Sequence, residues 1–480
     1  MTEKIKVEFE AKVFGSYDTI VCGGGTAGVV AALAAAREGA KTLLIESEYH
    51  LGGMLTMGNA GITKYVMHGC DPEEQYKINN ELKTNPDNVQ VVGGIPLELT
   101  HKLIKNGDAL GNHGTGAAYV YPDPHAFKLL LFEELMAAGV KILLNSKVVK
   151  VLKDGNKITG IIFDTKEGHM VAYGKYIIDS TGDGDVCALA GVNYVIGSSE
   201  RDEIVKEGKL PVGKLHTPGS MYKIGGVDFD KVMKFLEENP ERFNAHMFGL
   251  MGMEEMLEAY KKGDSIETFV NFNENQRFQI YNNPRKGVMV GCISVSRLGQ
   301  DCNGLNVEEL TDAEYGVLET CTRQLEDIKK EIPGFEDAYI LDVPKAGIRE
   351  TRHIEGEYIL HILDILENRE FEDSIGLSSH PIDIYPKPKV CENVKVPKRA
   401  WFRVPYRSLV AKGIDNLLIA GRHVSATREA AGCTRPTICC MVMGEAAGTA
   451  AAQLSKTGGA AKDIDVQKLR ETLKKNGVKC

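Results

Sequence analysis

The first clear pattern along the chain is a short apolar run, a glycine-rich turn and a longer apolar stretch. Residues 17–22 are rich in strand-forming side chains, and residues 29–38 form a helix-favouring stretch that ends at Gly39. A second apolar run at 41–45 has the length of a buried strand. This order predicts a β-α-β unit of about thirty residues with a tight turn at 23–28.

The turn between the first strand and the helix has the glycine spacing of a dinucleotide-binding loop. Gly23 permits the tight turn, Gly25 lets a pyrophosphate approach the backbone, and Gly28 lets the helix lie close to the sheet. The helix then begins with free N–H groups that favour phosphate. Glu46 follows the second strand, where its carboxylate can accept hydrogen bonds from ribose hydroxyls. The pattern predicts a nucleotide site, and by itself it fits either NAD or FAD.

Further elements follow within the first 200 residues. Asp123 and Pro124 are a favourable N-cap and first residue for a helix that ends at Gly139. The other predicted elements in this part are strands. Residues 140–144 form the first, and residues 148–152 and 158–163 form a hairpin. Residues 176–178 form the last strand, which leads into an acidic loop at 180–185.

The pattern changes after residue 200. Charged helical stretches at 228–238 and 311–330 lie among irregular segments that lack the β-α-β order. We therefore divide the chain into three predicted parts. Residues 1–200 are the first part of a nucleotide-binding domain, residues 201–395 are a second domain, and residues 396–480 complete the first domain.

The carboxyl-terminal part returns to the first pattern. Residues 416–420 form a predicted buried strand, a loop extends to Gly432, and a helix runs over 437–454. Gly444 and Gly448 lie about one turn apart on that helix, so we expect another backbone to pack closely against it.

Composition and charge narrow the functional class. The net charge is −9 and no long block of Lys and Arg is present, which argues against nucleic acid or an anionic membrane as a main partner. The longest apolar run, residues 29–36, is far shorter than the ~20 residues of a membrane helix. Residues 1–16 lack the apolar core of a signal peptide. We therefore expect a soluble, cytoplasmic protein.

The cysteines point to buried thiols and away from a metal site. The 11 cysteines are dispersed and form no C-x-x-C pair. The closest group, Cys433 with Cys439 and Cys440, lacks the spacing of zinc or iron–sulfur ligands. We expect no metal.

Three segments carry a family resemblance: YDTIVCGGGTAGVVAALAAAREGAKTLLIES at the start, YIIDSTGDGDV in the middle and NLLIAGRHVSATREAAGCTRPTICCMVMGEAAGTAAA near the end. They resemble FAD-dependent oxidoreductases distantly related to the flavoprotein subunit of fumarate reductase and succinate dehydrogenase. Shorter matches lie at 51–56, 347–358, 378–385 and 404–409. The resemblance implies an α/β protein, with a Rossmann-like FAD-binding domain of glutathione-reductase type and an inserted mixed α+β substrate domain. The choice of FAD over NAD rests on this resemblance.

The resemblance also implies which residues contact a non-covalently bound FAD. The ADP end matches at Gly23, Gly25, Thr26, Ala27, Gly28, Glu46 and Ser47. The remaining implied contacts, in chain order, are Gly53, Met54, Val148, Gly182, Asp185, Gly421, Arg422, Gly432 and Thr437.

Three residues are candidates for catalysis. Fumarate reductases carry a His-Gly-x-x-Arg stretch whose Arg holds a substrate carboxylate, and this chain keeps the Arg as Arg435 but has Ala431 in place of the His. His380 and His423 are candidate proton donors or acceptors. The charged residues 349, 350 and 352 form either an ion-pair network between domains or a site for a substrate anion.

The resemblance implies hydride transfer at flavin N5 to or from a small organic substrate. Two other functions stay open, a flavin-binding redox regulator without turnover and a flavin-dependent RNA-modifying protein. The sequence does not determine the substrate, the direction of reaction, the electron donor or acceptor, or the oligomeric state.

Overall fold

The computed structural model describes residues 5–62, 65–110, 120–244, 252–263, 266–273, 276–294, 302–384, 386–390 and 397–480. The boundary predicted between 395 and 396 and the last residue of the 378–385 segment lie outside the described residues.

The strands are β1 (Lys12–Cys22), β2 (Thr42–Ile45), β3 (His68–Gly69), β4 (Lys141–Leu143), β5 (Lys147–Asp154), β6 (Lys157–Thr165), β7 (Gly168–Asp179), β8 (Tyr194–Ile196), β9 (Gly219–Gly225), β10 (Phe243–Asn244), β11 (Glu267–Asn273), β12 (Gln276–Asn282), β13 (Met289–Ser294), β14 (Tyr339–Asp342), β15 (Arg352–Ile354), β16 (Ser374–Ser378), β17 (Arg399–Ala400), β18 (Phe402–Pro405) and β19 (Leu417–Ile419). The α-helices are α1 (Thr26–Arg37), α2 (Pro72–Thr84), α3 (Gly94–Lys105), α4 (Pro124–Ala137), α5 (Asp185–Ala190), α6 (Glu203–Lys206), α7 (Phe229–Glu238), α8 (Met253–Lys261), α9 (Val307–Glu331), α10 (Ile362–Leu366), α11 (Arg428–Thr434), α12 (Thr437–Thr457) and α13 (Val466–Lys475).

The first sheet joins a parallel half to an antiparallel half. Its order is β4-β2-β1-β7-β6-β5, and β19 also pairs with β7. Strands β4, β2, β1, β7 and β19 run parallel, whereas β5, β6 and β7 pair antiparallel. The long strand β7 belongs to both halves, because residues 168–173 pair with β6 and residues 177–179 pair with β19. The predicted β-α-β unit and the predicted hairpin are both confirmed.

Helix α12 packs directly on helix α1, although their sequences lie about 400 residues apart. A Cβ placed on Gly444 would lie 2.2 Å from the Ala27 carbonyl oxygen, and one on Gly448 would lie 2.1 Å from that of Ala31. Only hydrogen fits at these two positions, so the helices approach backbone to backbone. This contact confirms the close packing that the two glycines predicted.

A second sheet lies in the middle of the chain, in the order β10-β11-β12-β13-β9-β14, and its strand pairs are antiparallel. Helices α7 and α9 cover it and supply much of its separate apolar core, including Val232, Leu236 and Val317. The two helices confirm the charged helical stretches predicted at 228–238 and 311–330. The sheet itself was not predicted. Short two-stranded ladders join β15 to β8, β16 to β18 and β17 to β3.

The structure corrects two local predictions. The loop predicted to extend to Gly432 contains helix α11, which begins at Arg428 after the Thr427 hydroxyl caps it. The strand predicted at 176–178 is the end of β7, which begins at Gly168. Polar side chains interrupt the apolar pattern of both segments, so the periodicity that predicts a helix or a strand is weak in each of them.

No helix in the described ranges is long and apolar enough to cross a membrane. Within the same ranges, no group of three or more His, Cys, Asp or Glu side chains is arranged to hold a metal ion.

Glu445 is a buried acid in the middle of α12. One of its carboxylate oxygens accepts the N–H of Ile95 at 3.0 Å, at the start of α3. Burial raises the pKa of Glu445 to about 8, although the Ile95 N–H and the Arg37 guanidinium act in the opposite direction. A carboxyl group whose pKa is raised by folding stabilises the protein fully below its unfolded pKa, and this contribution is lost as pH rises through the folded value.

We therefore expect Glu445→Gln to change how stability depends on pH. Between pH 6 and pH 9 the free energy of unfolding of the wild type should fall by on the order of 2 kcal/mol relative to that of the variant, because over this range the unfolded wild type is already ionised whereas the folded wild type must give up its buried proton. Glu238→Gln, an exposed acid at the end of α7, serves as the control. A difference from wild type that stays constant between pH 6 and pH 9 would contradict the prediction.

Candidate active site

A cavity of about 730 Å³ lies where the parallel strands of the first sheet end. Its floor is formed by the residues that follow β1, β7 and β19, and its opposite wall comes from β9, β12 and the segment 345–349. Carboxyl ends of neighbouring parallel strands are the usual position of a ligand site in α/β proteins. The volume of this cavity is within the range of about 300–1,000 Å³ that small-molecule and cofactor sites occupy.

Most of the residues selected from the sequence line this cavity: Gly23, Gly25, Thr26, Ala27, Glu46, Ser47, Gly53, Met54, Val148, Gly182, Asp185, His380, Gly421, Arg422, Arg435 and Thr437. Three others lie elsewhere. Gly28 lies in the first turn of α1, against the Gly23 carbonyl oxygen. Gly432 lines a smaller chamber beside the cavity, and His423 is fully buried.

The glycine-rich turn is shaped by backbone contacts that exclude side chains. Gly23 has φ +97°, and a Cβ there would lie 2.3 Å from the Ser180 carbonyl oxygen. A Cβ on Gly28 would lie 1.8 Å from the Gly23 carbonyl oxygen. Gly25 differs, because the nearest atom to its Cβ position is the Gly53 Cα at 4.0 Å. Gly23 and Gly28 therefore maintain the fold, while the space in front of Gly25 belongs to the cavity.

The start of α1 can hold a phosphate group. No side chain caps the helix at Gly25, and its first turn contains no acidic residue. Its first N–H groups therefore remain available to an anion, and the helix dipole favours negative charge there. Across the turn, the Glu46 carboxylate accepts the N–H of Gly24 at 2.5 Å and that of Glu48 at 2.8 Å. The oxygen that accepts the Glu48 N–H also accepts the Ser47 hydroxyl at 3.1 Å. The other oxygen, which accepts the Gly24 N–H, keeps a second lone pair for a ribose hydroxyl.

A network of ion pairs holds the loop after β7. Arg422 forms an ion pair with Asp183, and its Nε donates to the Gly182 carbonyl oxygen at 3.0 Å. Arg352 donates to the Asp183 carbonyl oxygen and to the Asp185 carboxylate, both at 2.8 Å. These contacts fix the backbone of the loop along the cavity. They also show that the Asp185 carboxylate is engaged by Arg352.

One wall of the cavity is ionic. Arg435 forms an ion pair with the Asp383 carboxylate and donates to the Asp383 carbonyl oxygen at 3.0 Å. Burial alone would raise the pKa of Asp383, but the positive charge of Arg435 and the nearby His380 hold it well below its ordinary value. The His380 Nδ1 donates to the Pro381 carbonyl oxygen at 2.7 Å, which leaves Nε2 as the acceptor in the neutral ring.

A second wall of the cavity is apolar. Tyr121 and Tyr281 have their ring centroids 4.3 Å apart with the ring planes tilted by 44°, and Met221 packs beside them. Tyr121 packs over Gly61, whose carbonyl oxygen accepts the Thr437 hydroxyl at 2.8 Å. These contacts connect the aromatic pair to the segment that carries Arg435.

His423 lies behind the cavity. Its Nε2 is 3.6 Å from the Asp179 carboxylate, and neither ring nitrogen has a hydrogen-bond partner among the described residues. Asp179 instead accepts the Thr181 hydroxyl at 2.7 Å and the Cys187 N–H at 2.8 Å. His423 therefore packs beneath the loop after β7, away from the cavity surface.

The sequence prediction missed Asp383, Tyr121 and Tyr281. Asp383 lies three residues after His380 in the segment 378–385, so its position beside a candidate site residue could have identified it from the sequence. The two tyrosines come from separate parts of the chain, and only the tertiary fold brings Tyr121 to Tyr281 of β12.

Comparison with known proteins gives a family match over most of the chain. A family model described as FAD dependent oxidoreductase matches residues 18–473. A digeranylgeranylglycerophospholipid reductase of Picrophilus torridus is 32% identical over 154 residues, which are 30% of this chain and 34% of that protein. An NADH:fumarate oxidoreductase of Klebsiella pneumoniae is 23% identical over 188 residues, which are 32% of this chain and 19% of that protein. The chain thus matches about a third or less of the length of these relatives.

Two solved structures are similar over nearly the whole chain. A geranylgeranyl bacteriochlorophyll reductase-like protein of Thermoplasma acidophilum is 13% identical, with 97% of this chain and 84% of that chain covered and a TM-score of 0.46. A p-nitrophenol 4-monooxygenase of Pseudomonas putida is 14% identical, with coverages of 96% and 88% and a TM-score of 0.47.

Proposed function

Since this chain belongs to the family of FAD-dependent oxidoreductases, we propose that it binds FAD non-covalently in the cavity and oxidises or reduces a small organic molecule. Bound FAD supplies hydride transfer at its N5 atom. The protein's own part is to hold the cofactor, orient the substrate and provide charge and a proton path. The observation that carries this proposal is one continuous cavity, lined by the glycine-rich turn at one end and by Arg435 and His380 at the other.

The residues of the first sheet fit the cofactor. We propose that Gly25 and the start of α1 bind the pyrophosphate and that Glu46 and Ser47 bind the ribose beside it. Val148 would adjoin the adenine, and Gly53 and Met54 would contact the cofactor between its pyrophosphate and its ring. The remaining proposed contacts are Gly23, Thr26, Ala27, Gly28, Gly182, Asp185, Gly421, Arg422, Gly432 and Thr437, of which Gly28 and Gly432 act through the backbone that they support.

The same arrangement supports a finer assignment of the fold. We propose a glutathione-reductase-type FAD domain formed by residues 1–200 and 396–480, with a substrate domain at 201–395 between them. Two observations support this division. The second sheet has its own apolar core, and α12 packs on α1 across the intervening sequence. Arg435 further supports a distant relation to fumarate reductases.

Arg435 is the proposed anchor of the substrate. Its guanidinium keeps donors beyond those used by Asp383, because a guanidinium has five N–H groups and one carboxylate occupies at most two of them. We propose that it binds a carboxylate or carbonyl oxygen of the substrate, and that His380 exchanges a proton through Nε2. His423 lies too deep to touch substrate, so we propose for it only a role in positioning the loop after β7.

The apolar wall limits which chemical groups the rest of the substrate can carry. Tyr121, Tyr281 and Met221 offer aromatic and thioether surfaces in the same cavity as the ionic wall. A small molecule with one polar or anionic end and an unsaturated or otherwise apolar body fits both walls. A redox regulator has no need of two such walls beside its flavin, and a net charge of −9 does not favour an RNA substrate.

A spectrum of the purified protein tests the cofactor and its attachment. We expect a yellow protein that releases FAD into the supernatant after acid precipitation. Colour that stays in the pellet would contradict non-covalent binding, and a colourless protein that takes up no added FAD would contradict the site. Either reduced enzyme should be reoxidised by small organic acceptors with one anionic end, or oxidised enzyme should be reduced by small organic donors of that kind. Failure in both directions, in an enzyme that does hold FAD, would contradict the proposed turnover.

A further inference from the structure

Residues outside the first sheet also line the end of the cavity that contains Glu46. Glu314 belongs to α9, and Lys345 begins the segment 345–349. The cofactor contacts proposed above all come from the first and last parts of the chain. Helix α9 and this segment are therefore a separate set of residues at the same end of the cavity.

An ion pair joins this segment to the loop after β2. The Lys345 Nζ lies 2.8 Å from a carboxylate oxygen of Glu48, although the two residues are 297 positions apart in the chain. Both residues line the cavity, and their side chains are 47% and 39% exposed. The ion pair therefore lies at the rim of the cavity, between its interior and the solvent.

Glu314 holds the start of the segment against α9. The Ala346 N–H donates to its carboxylate, with both oxygens 3.0 Å from the nitrogen. Burial raises the pKa of Glu314, and the neighbouring carboxylate of Glu48 acts in the same direction. The Ala346 N–H and the Lys345 ammonium act in the opposite direction. The Lys345 ammonium thus interacts with two acids, one on each side of the cavity rim.

Backbone contacts and Arg422 fix the rest of the segment. The Gly347 N–H donates to the Gly219 carbonyl oxygen at 2.7 Å, and the Gly219 N–H donates back at 3.2 Å. The Ile348 carbonyl oxygen accepts a hydrogen bond from the Arg422 guanidinium. A Cβ on Gly347 would lie 3.1 Å from the Met54 Cε, so the segment passes close to a proposed cofactor contact. The segment reaches across the cavity and is joined to the first sheet side near both of its ends.

We propose that the segment 345–349 is a strap over the bound cofactor, and that the ion pair between Lys345 and Glu48 is the latch that slows FAD release. This inference rests on the proposed function, because FAD is the proposed occupant of the cavity. The strap covers the end at which Glu46 would hold the ribose, so the ion pair opens before the adenosine end leaves. An exposed ion pair stabilises a closed state only slightly, so breaking it should raise the release rate about threefold to fivefold.

The rate of FAD release from the loaded enzyme tests the proposal. An excess of a second apo-flavoprotein traps the released FAD, and the change in flavin fluorescence gives the rate. Lys345→Met and Glu48→Gln should each accelerate release, and the double variant should be no faster than either, because each change breaks the same ion pair. Lys412→Met breaks a pair with Glu355 outside the cavity and should release FAD at the wild-type rate.

Ionic strength gives a second readout that a general loss of stability would not reproduce. Salt screens an exposed ion pair. Raising the salt concentration should therefore accelerate FAD release from the wild type more than from Lys345→Met, which has no latch to screen.

Each of three results would overturn the strap. The first is a wild-type release rate in Lys345→Met. The second is acceleration by Lys345→Met without acceleration by Glu48→Gln, which would indicate that Lys345 contacts the cofactor directly. The third is a double variant whose acceleration is the product of the two single effects. A wild-type protein that takes up no FAD would overturn the proposed function and the strap together, whereas normal FAD uptake with unchanged release rates would overturn the strap alone.

Discussion

Replacing Gly25 with valine is expected to give a folded protein that retains almost no FAD. Gly25 is the N-cap of α1, with φ −74° and ψ −165°, an extended conformation that valine adopts without strain. Its Cβ position has no neighbour closer than the Gly53 Cα at 4.0 Å. The isopropyl group would therefore fit within the protein fold and occupy the space in front of the first N–H groups of α1. We expect FAD to bind at least ~100-fold more weakly, which corresponds to about 2.8 kcal/mol.

The measurement is the visible flavin band of the purified variant, followed by titration with added FAD. Gly252→Val is a matched control, because its Cβ position is also open and it does not line the cavity. Gly28→Val gives the opposite pattern, since its Cβ would lie 1.8 Å from the Gly23 carbonyl oxygen and the protein itself should fail to fold. A yellow Gly25→Val protein with a full complement of FAD would show that the cofactor does not pass this turn.

The contrast between Gly25 and Gly28 illustrates what sequence could predict. The spacing of glycines, apolar runs and Glu46 identified the β-α-β unit, because each of these signals acts within about thirty residues. Gly444 and Gly448 were equally informative, since glycines on one helix face have few reasons to occur other than a close neighbour. The sequence also predicted that Gly28 serves packing while Gly25 faces a ligand, but it did not show that the neighbour of Gly28 is the Gly23 carbonyl oxygen.

The unpredicted parts depend on contacts between distant segments. The second sheet lacks a β-α-β order, and the sequence of β13 does not alternate polar and apolar side chains, so its two-residue periodicity is weak. The contact between Tyr121 and Tyr281 and the smaller chamber beside the cavity each combine residues more than 80 positions apart. His423 shows that neighbours in sequence need not share a site. It directly follows the cavity residue Arg422, but its side chain points into the protein interior.

Replacing Arg435 with methionine is expected to impair turnover far more than it impairs FAD binding. The guanidinium lies on the ionic wall, and it is the proposed partner of a substrate oxygen. Loss of a charged hydrogen bond to bound substrate should lower kcat/KM roughly a hundredfold, or about 3 kcal/mol. Arg435→Lys should recover only part of this loss, because a lysine ammonium cannot form the paired bonds of a guanidinium.

The main alternative is that Arg435 serves only to neutralise Asp383. Methionine at 435 would leave the partly buried Asp383 carboxylate without its ion-pair partner, which lowers stability whatever the role in catalysis. Asp383→Asn removes that charge while keeping Arg435. The double variant Arg435→Met with Asp383→Asn should therefore regain thermal stability relative to Arg435→Met alone. Arg407→Met, which breaks a similar pair with Asp373 outside the cavity, controls for the loss of an ion pair.

The two roles separate in the kinetics of these variants. If Arg435 binds substrate, the double variant regains stability but keeps the low kcat/KM, while Asp383→Asn alone retains most of its activity. If Arg435 only balances the charge of Asp383, the double variant regains both stability and activity. Stopped-flow measurement of flavin reduction and reoxidation, with the melting temperature of each FAD-loaded variant, distinguishes these outcomes. Recovery of activity in the double variant would remove Arg435 from substrate binding and leave His380 as the proposed polar contact on that wall.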